Sequence, residues 1–165
     1  MPAPLYLLVL VLVLGGGLLA LSRPSLERRP VLLVEDSQGR HLGSLDLPGA
    51  RFDHVFVHSV HKTPVVERFR IEDRGRAGAW LHLYELDYED AGVGMPSDAE
   101  GGFRLEKGHF ILAMDREFAR IPIQVSIVPG HGLVVGDSFT AFTTWAREGK
   151  GIILEATMAT TLRFR

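Results

Sequence analysis

The stretch Val57-His58-Ser59-Val60-His61-Lys62-Thr63-Pro64-Val65-Val66-Glu67 connects two runs, 52–58 and 65–72, in which apolar and polar residues alternate. Alternation with a period of two is typical of a strand that is buried on one face. Polar side chains packed this densely around one proline, at the end of a strand, are typical of a demanding turn or of a functional site. The sequence therefore predicts two strands joined by a segment of special shape or chemistry.

Short runs of the same kind follow one another along the chain and are separated by turn residues. In 121–127, for example, every second residue is isoleucine or valine. Residues 106–119 are ambiguous, since their pattern also allows a short helix. Many short strands at this spacing predict an all-β fold, a single small antiparallel β-sandwich or barrel. The predicted strands are 31–35, 42–47, 52–58, 65–72, 80–88, 121–128, 133–135, 138–145, 152–158 and 161–164.

The N-terminal part has a different composition. Residues 5–21 are an uncharged apolar run, long enough to cross a bilayer as a helix at about 1.5 Å per residue. Small residues at its end fit a signal-peptide cleavage site, whereas the arginines that follow would keep the next segment in the cytoplasm. We favour export to the cell envelope, on the extracytoplasmic side. The predicted organisation is a signal peptide or membrane anchor at 1–22, a linker at 23–30 and the β domain at 31–165.

Composition excludes several classes of function. The chain has 165 residues, no Cys and a formal net charge of −2. Without Cys it has no disulfide, thiol nucleophile or Cys-bound zinc. The two signs of charge are mixed along the chain, so there is no electrostatic footprint for nucleic acid. A phosphate-binding glycine loop is also absent, and we predict neither a nucleic-acid partner nor a cofactor.

Glu67 carries the most information within the opening stretch. In the run 65–72 it shares one face with apolar residues, while the other face is charged, so Glu67 is predicted to point inward. A buried carboxylate must be paired or hydrogen-bonded, or it takes up a proton. A purely structural alternative is that Glu67 accepts backbone N–H groups of the preceding turn. The nearest candidate side-chain partners along the chain are His58, His61 and Lys62.

The histidines of this region allow a metal-dependent or acid–base enzyme as the alternative hypothesis, built on His58, His61 and Glu67. Imidazole and carboxylate suit zinc, and His54 offers a further ligand, but the spacing matches no metal signature. Neighbouring strand residues point to opposite faces, so His58 is not placed to act as a base for Ser59. The sequence holds no complete catalytic signature.

A second group of polar residues lies at 84–96. Glu85, Asp87 and Glu89 are predicted on one face of a strand, as a solvated acidic face, with His82 and the aromatic residues on the other. Calcium is an alternative, although the regular spacing of oxygen ligands is absent. The turn that follows, Gly92-Val93-Gly94-Met95-Pro96, either presents N–H groups to an anion or only reverses the chain.

These two segments together resemble a bacterial family. His-Ser-Val-x-Lys-Thr-Pro-Val-x-Glu at 58–67 and Tyr-Glu-x-x-Gly-x-Gly-x-Pro at 88–96 are similar to the hallmark segments of domain of unknown function 1850, and the stretch from Ile121 to Gly136 is similar more loosely. The resemblance spans residues 31–165. It implies a place beside TRAP-type solute transporters of the TAXI class, and it carries no established activity.

The sequence therefore favours a non-enzymatic accessory or binding module, exported or membrane-anchored, that works with such a transporter. Its expected partners are the transporter's membrane subunit or solute-binding protein, and the membrane through residues 5–21 if that segment is uncleaved. A small carboxylate is the expected ligand, held by the Lys62 ammonium group and by N–H groups of the glycine turn. The candidate ligand or docking residues are His58, Ser59, Lys62, Thr63, Glu67, Gly92, Gly94 and Pro96.

Overall fold

The computed structural model describes residues 24–89 and 102–164. These ranges hold eleven strands and two short 3₁₀-helices, Gly75–Ala77 and Phe142–Thr144, so the predicted all-β class is confirmed. Among the described residues, no helix is both long and apolar enough to cross a membrane. The predicted apolar helix at 5–21 and the turn at 92–96 lie outside the described residues. The strands are β1 (Pro24–Asp36), β2 (His41–Asp46), β3 (Arg51–Val57), β4 (Pro64–Asp73), β5 (Ala79–Tyr88), β6 (Phe103–Glu106), β7 (His109–Phe118), β8 (Arg120–Gln124), β9 (Gly132–Val135), β10 (Ser138–Ala141) and β11 (Gly151–Phe164).

The strands form two antiparallel sheets. The smaller has the order β2-β1-β11-β8, and the larger has the order β10-β9-β3-β4-β5-β7-β6. Both sheets supply side chains to one core: Leu32 and Leu154 come from the smaller sheet, and Phe52 and Phe69 stack 5.0 Å apart on the larger. Each such side chain, once buried, stabilises the fold by about 1.5–3 kcal/mol. Two sheets that share a core are what a sandwich requires.

The described residues divide into two compact units. Residues 29–159 hold the core, and the other unit consists of 24–28 and 160–164. In this second unit the Thr161 hydroxyl donates to the backbone oxygen of Glu27 at 3.4 Å. Strand structure already begins at Pro24, within the segment predicted as a linker, and the predicted strands 152–158 and 161–164 are one continuous strand, β11.

The ambiguous segment 106–119 is strand throughout most of its length and not a helix. It contains the end of β6 and all of β7, which pair as a hairpin with Glu106 opposite His109. The two residues between them, Lys107 and Gly108, have φ values of 51° and 90°. Positive φ at both central positions is the signature of the two-residue turns that match strand twist. The positive φ values at Lys107 and Gly108 thus make this segment a hairpin and not a helix.

A bulge in β5 changes which face its later residues occupy. Arg68 of β4 pairs with Glu85, but the next residue, Phe69, pairs with Leu83, so Tyr84 is an extra residue. One inserted residue reverses the alternation of side chains beyond it. The prediction that His82 shares a face with the later apolar residues is therefore wrong. The buried face of β5 is made by Leu81, Leu83, Leu86 and Tyr88.

The predicted strand 121–128 is shorter than its apolar pattern. β8 ends at Gln124, and Ile127, which shares the apolar alternation of this run, is 64% exposed. The chain beyond Gln124 turns through Gly130, whose φ is 83°, and enters β9. The predicted strand 138–145 likewise ends at Ala141 and continues as a 3₁₀-helix. The first of these segments changes direction beside the cavity described next.

Candidate functional site

The turn between β3 and β4 is built around His58. Its backbone N–H donates to Thr63 O at 2.8 Å, and its own carbonyl accepts the N–H of Lys62 at 3.0 Å. The ring nitrogen Nδ1 accepts the N–H groups of Val60 and His61 at 3.3 and 3.2 Å. Lys62 has a φ of 58°, the left-handed conformation that closes such a turn. The structural role considered for Glu67, fixing the turn through backbone N–H groups, is filled by His58.

Glu67 instead pairs with His54 on the neighbouring strand. The two residues are directly opposite each other in the β3–β4 ladder, and His54 Nδ1 lies 2.8 Å from Glu67 Oε2. The His54 side chain is 9% exposed and that of Glu67 is 28% exposed. The predicted inward direction of Glu67 is therefore correct, but its partner is not one of the neighbours along the chain. Strand pairing, which links positions 13 residues apart, supplies it.

A cavity of about 640 Å³ opens beside this pair. This volume lies within the range of ligand pockets in proteins, roughly 300–1,000 Å³. Its apolar wall comes from β3, β4, β5, β7 and β8, and its polar groups come mainly from the β3–β4 turn and from the loop after β8. The apolar lining includes Phe56, Phe69, Leu83, Phe118, Ile121 and Ile123, and the polar lining includes His54, His58, Ser59, Lys62, Glu67, Gln124, Ser126 and His131.

Three rings lie around the buried His54. Its ring centroid is 5.2 Å from that of Phe56, 5.6 Å from that of His131 and 5.5 Å from that of Phe142. The rings of His131 and Phe142 meet edge to face at 4.8 Å. His131 Nδ1 accepts the backbone N–H of Ser126 at 3.3 Å. Burial, and to a smaller extent the charge of His54, lower the pKa of His131, because the apolar surroundings disfavour an imidazolium ion.

Four predicted site residues meet at the cavity, namely His58, Ser59, Lys62 and Glu67. Thr63 and His61 belong to the turn but do not line the cavity, and Gly92, Gly94 and Pro96 lie outside the described residues. Ser59 stands in the turn, because β3 ends at Val57. The alternation of strand side chains, which separated Ser59 from His58, therefore does not apply. His58 Nδ1 is nevertheless not available as a base for Ser59, because it accepts two backbone N–H groups of the turn.

Sequence reasoning missed the half of the cavity that comes from distant elements. Phe118 lies in the segment whose pattern is ambiguous between helix and strand. Gln124 and Ser126 alternate with the apolar residues of 121–127, which indicates only the polar face of a strand. His131 follows Pro129-Gly130 and precedes Gly132. A Cβ atom at Gly132 would lie 2.3 Å from the Thr140 carbonyl oxygen, so glycine is required there. The Pro-Gly-His-Gly string was the available signal for a shaped loop.

A second buried histidine, His82, lies on the other face of the larger sheet. Its Nδ1 is 2.8 Å from Glu72 Oε1, and its Nε2 is 2.9 Å from Asp115 Oδ1. In the described ranges, one set of three potential metal ligands has suitable spacing, namely Glu72, His82 and Glu117. Arg74 donates to both glutamates. Cations already balance this cluster, so it is an ion-pair network of the sheet surface.

The predicted acidic face of β5 belongs to the same surface and is paired with cations. Arg68 donates to Glu85 at 2.5 Å and to Asp87 at 3.0 Å, and Arg104 donates to Glu85 at 2.9 Å. His109 Nδ1 lies 2.8 Å from Asp87 Oδ1. The expectation of a merely solvated acidic face is wrong for these two carboxylates. Burial raises the pKa of nearby Asp53, against the opposing effect of Arg68.

Comparison with known proteins identifies one related group. A family model described as a domain of unknown function (DUF1850) matches residues 52–141. The matched range covers nearly all of β3 and continues through β10, so it contains the His58 turn, the His54–Glu67 pair and His131. No curated protein and no solved structure matches the chain.

Proposed function

The chain belongs to the DUF1850 family, and on this premise we propose that its domain is a non-enzymatic binding module for a small carboxylate with an apolar body. The observation that carries the proposal is the cavity of about 640 Å³ built on the family's matched segment. Its wall is largely aromatic and aliphatic, and its polar groups come mainly from the β3–β4 turn and the loop after β8. Pockets of this kind bury an apolar ligand and orient it through a few polar contacts.

Lys62 supplies the positive charge for the carboxylate. It is exposed, stands in the left-handed conformation at the end of the turn and lines the cavity. No carboxylate of the described residues forms an ion pair with its ammonium group. Ser59, three residues earlier in the chain, also lines the cavity. An ionised acid bound by an ammonium group gains charge-assisted hydrogen bonds, which are shorter and stronger than neutral ones.

The cellular setting is part of the same proposal. We place the domain in the cell envelope, exported or anchored through residues 1–22, as an accessory to a TRAP-type transporter of the TAXI class. The apolar run at 5–21 and the transporter context implied by the family resemblance support this placement. Co-purification of the transporter's membrane subunit or solute-binding protein with the chain tests the partnership, and protease access from the periplasmic side tests the orientation.

An acid–base enzyme is the second candidate, and the His54–Glu67 pair is the observation that favours it. A carboxylate that holds an imidazole in one tautomer is a recurrent arrangement for a general base. The pair differs from the one predicted from sequence, because His58 is engaged by its turn and His61 does not line the cavity. Turnover of the bound acid into a chemically altered product would favour the enzyme over the binding module.

Calorimetric titration of the full-length chain in lipid nanodiscs tests the binding module. Octanoate serves as the probe, and octylamine, with the same apolar body and opposite charge, is the control ligand. We expect octanoate to bind and octylamine not to bind. Absence of heat with octanoate at millimolar concentration would reject the proposal.

Two matched lysine variants locate the contact. Lys62 and Lys107 are both exposed residues of tight turns with positive φ, 58° and 51°, and asparagine tolerates that conformation. Lys62→Asn is expected to weaken octanoate binding by tenfold or more, because a hydrogen bond to a charged group is worth about 1.5–3 kcal/mol. Lys107→Asn, in the β6–β7 turn, is expected to leave it unchanged. Equal affinity for octanoate in both variants would show that its carboxylate does not bind to Lys62.

A further inference from the structure

Three loops lie side by side at the end of the domain that holds the polar groups of the cavity. The turn between β3 and β4 and the loop after β8 both line the cavity, and a Cβ atom at Gly130 in that loop would lie 3.9 Å from Val57 Cγ2. The same loop is joined to the segment before β11, because Val125 forms backbone hydrogen bonds of 2.9 Å with Gly149 and Lys150. We call these three segments together, residues 57–64, 125–131 and 146–151, the loop surface.

Two segments of the loop surface expose aliphatic side chains to solvent. Val60 and Ile127 are each 64% exposed, and Val128 is 44% exposed. Val128 also lines the cavity, as do Ser59 and Lys62 on the neighbouring turn, so these aliphatic groups lie at the rim of the cavity. Scattered exposed apolar residues are ordinary, whereas a group of them rimmed by polar residues marks an interaction site.

The loop surface also carries an excess of positive charge. It contains three basic residues, Lys62, Arg147 and Lys150, and one acidic residue, Glu148. The whole chain has 20 acidic and 18 basic residues, so this excess is local. All three basic residues are exposed, and none forms an ion pair with a carboxylate of the described residues. Their charges are therefore available to a partner that carries negative charge.

We infer that the loop surface docks on an anionic lipid bilayer, with Val60 and Ile127 in the headgroup region and the basic residues beside lipid phosphates. Exposed apolar side chains flanked by basic residues suit the surface of such a membrane. Each basic residue close to it strengthens binding about fivefold. Protein interfaces, by contrast, are enriched in aromatic residues and depleted in lysine, whereas the exposed apolar residues here are aliphatic.

The docking goes beyond the proposed function, because it needs no bound ligand. It brings the cavity next to the bilayer, since two of the three docking loops line the cavity. An acid with an apolar body accumulates in a bilayer, because its apolar surface leaves water there. If both the docking and the binding module hold, the membrane is the source from which the cavity takes its ligand.

Fluorescent labels on single cysteines of the full-length chain test the docking. The chain has no Cys, so Val60→Cys and Ile127→Cys each place one NBD fluorophore on the loop surface. Ala77→Cys is the control, at an exposed residue of the turn after β4. The ten residues of β4 separate this turn from the one before β4, a distance of about 33 Å. Any attachment through residues 5–21 is common to all three labelled chains.

The labelled chains are placed in nanodiscs of phosphatidylcholine and phosphatidylglycerol in equal parts, with and without a nitroxide on the lipid acyl chains. We expect nitroxide lipids to quench the label at positions 60 and 127 and to quench it far less at position 77. Any other ranking would overturn the inference. A blue shift at positions 60 and 127 that nitroxide lipids do not quench would also overturn it, because a protein surface would then cover the loops.

A matched pair of charge reversals tests the electrostatic part. Arg147→Glu, on the loop surface, changes the charge by two units and should lower the ratio of docked to undocked chain about tenfold or more, measured from quenching at position 127. Arg76→Glu makes the same change at an exposed arginine of the turn after β4 and should leave the ratio unchanged. Equal effects of the two reversals would overturn the inference.

The octanoate titration separates this inference from the proposed function. If octanoate does not bind while the labels at positions 60 and 127 are quenched, the binding module is rejected and the docking stands. If octanoate binds while these labels are not quenched, the docking is rejected and the binding module stands.

Discussion

Two histidine–glutamate pairs lie on opposite faces of the same sheet and differ in what surrounds them. His54 and Glu67 lie on the core face between β3 and β4, and His82 and Glu72 lie on the outer face between β5 and β4. Both pairs have an Nδ1 to oxygen distance of 2.8 Å. The histidine side chains are 9% and 7% exposed, and the glutamates are 28% and 29% exposed. Pair geometry alone therefore does not distinguish a site from a structural contact.

The surroundings separate the two pairs. Glu72 also accepts hydrogen bonds from Arg70 and Arg74, and the second nitrogen of His82 faces Asp115. Neither second nitrogen makes a hydrogen bond to the described residues, but that of His54 faces no carboxylate of these residues either, and its pair borders a cavity. Glu72 already has arginine and histidine partners, so its network has no group left to bind a ligand. The His54–Glu67 pair has no further ion-pair partner among the described residues and borders a cavity that a ligand can occupy. The comparison shows that the partners and surroundings of a residue carry more information about function than its type does.

The largest expected effect comes from the ring beneath the inner pair. Phe142 is fully buried and contacts His54, His131 and Trp145. Phe142→Ala should lower the free energy of unfolding by about 3–5 kcal/mol, because the cavity it leaves cannot fully collapse. Chemical denaturation measures this, with Phe139→Ala as the control at a phenylalanine that is 50% exposed. A loss below about 1 kcal/mol would mean that the inner pair has no rigid support.

Replacing each histidine by leucine tests the comparison directly. His82→Leu removes hydrogen bonds to charged groups, which are worth about 1.5–3 kcal/mol each, and should destabilise the protein by that order. His54→Leu loses one such bond but also removes a buried nitrogen that has neither a hydrogen-bond partner nor a facing carboxylate among the described residues, whereas Asp115 faces the corresponding nitrogen of His82, and in His54→Leu these effects offset each other. We expect His54→Leu to cost about 1 kcal/mol or less in urea denaturation. Equal losses in the two variants would show that the inner pair is as balanced as the outer one.

The outer pair should dominate stability in acid. Hydrogen bonds from His82 and then from the arginines lower the pKa of Glu72 to about 2, from an ordinary value of 4.5. A carboxyl group whose pKa is lowered in the folded state contributes stability above its unfolded pKa and loses it as pH falls toward the folded value. Thermal melts between pH 5 and pH 2 should therefore fall less steeply for Glu72→Gln than for the original chain. Identical slopes would contradict the pairing.

The smallest expected effect is the pH response of the inner site. The pKa of His131 is lowered in the fold, so the unfolded chain binds a proton at higher pH than the folded chain does. Stability should fall as pH drops below about 6.5, with a slope of at most about 1.4 kcal/mol per pH unit. His131→Gln should flatten this response between pH 7.5 and 5.5, while the exposed His41→Gln should not. An unchanged slope in His131→Gln would place the titrating group elsewhere.

Strand alternation predicted much of the fold because burial on one face of a sheet leaves a period-two pattern in the chain. It correctly predicted that Glu67 points inward, beside Phe69. It failed where the alternation is interrupted, at the β5 bulge around Tyr84 and in the hairpin at Lys107 and Gly108. A bulge depends on how two strands pair, and the chain pattern of one strand does not record it. The position of His82 was wrong for this reason.

The cavity was predictable only on one side. His58, Ser59, Lys62 and Glu67 are close along the chain, so a single dense stretch pointed to them. Phe118, Gln124 and His131 come from β7, the end of β8 and the loop before β9. Their meeting depends on the shared core of two sheets. Distances across a core are long-range properties that single-sequence patterns do not contain.

The sequence by itself determined the all-β class, the family and the segment at 57–67 as the place where polar residues gather. Composition, alternation and local motif strings carry that information, because they reflect burial and turns of neighbouring residues. Only the tertiary structure decided that Glu67 pairs with His54, that His58 holds the turn and that an apolar cavity opens beside them. Hydrogen-bond partners and cavities are set by which strands lie side by side, and strand pairing brings together residues that the chain keeps apart.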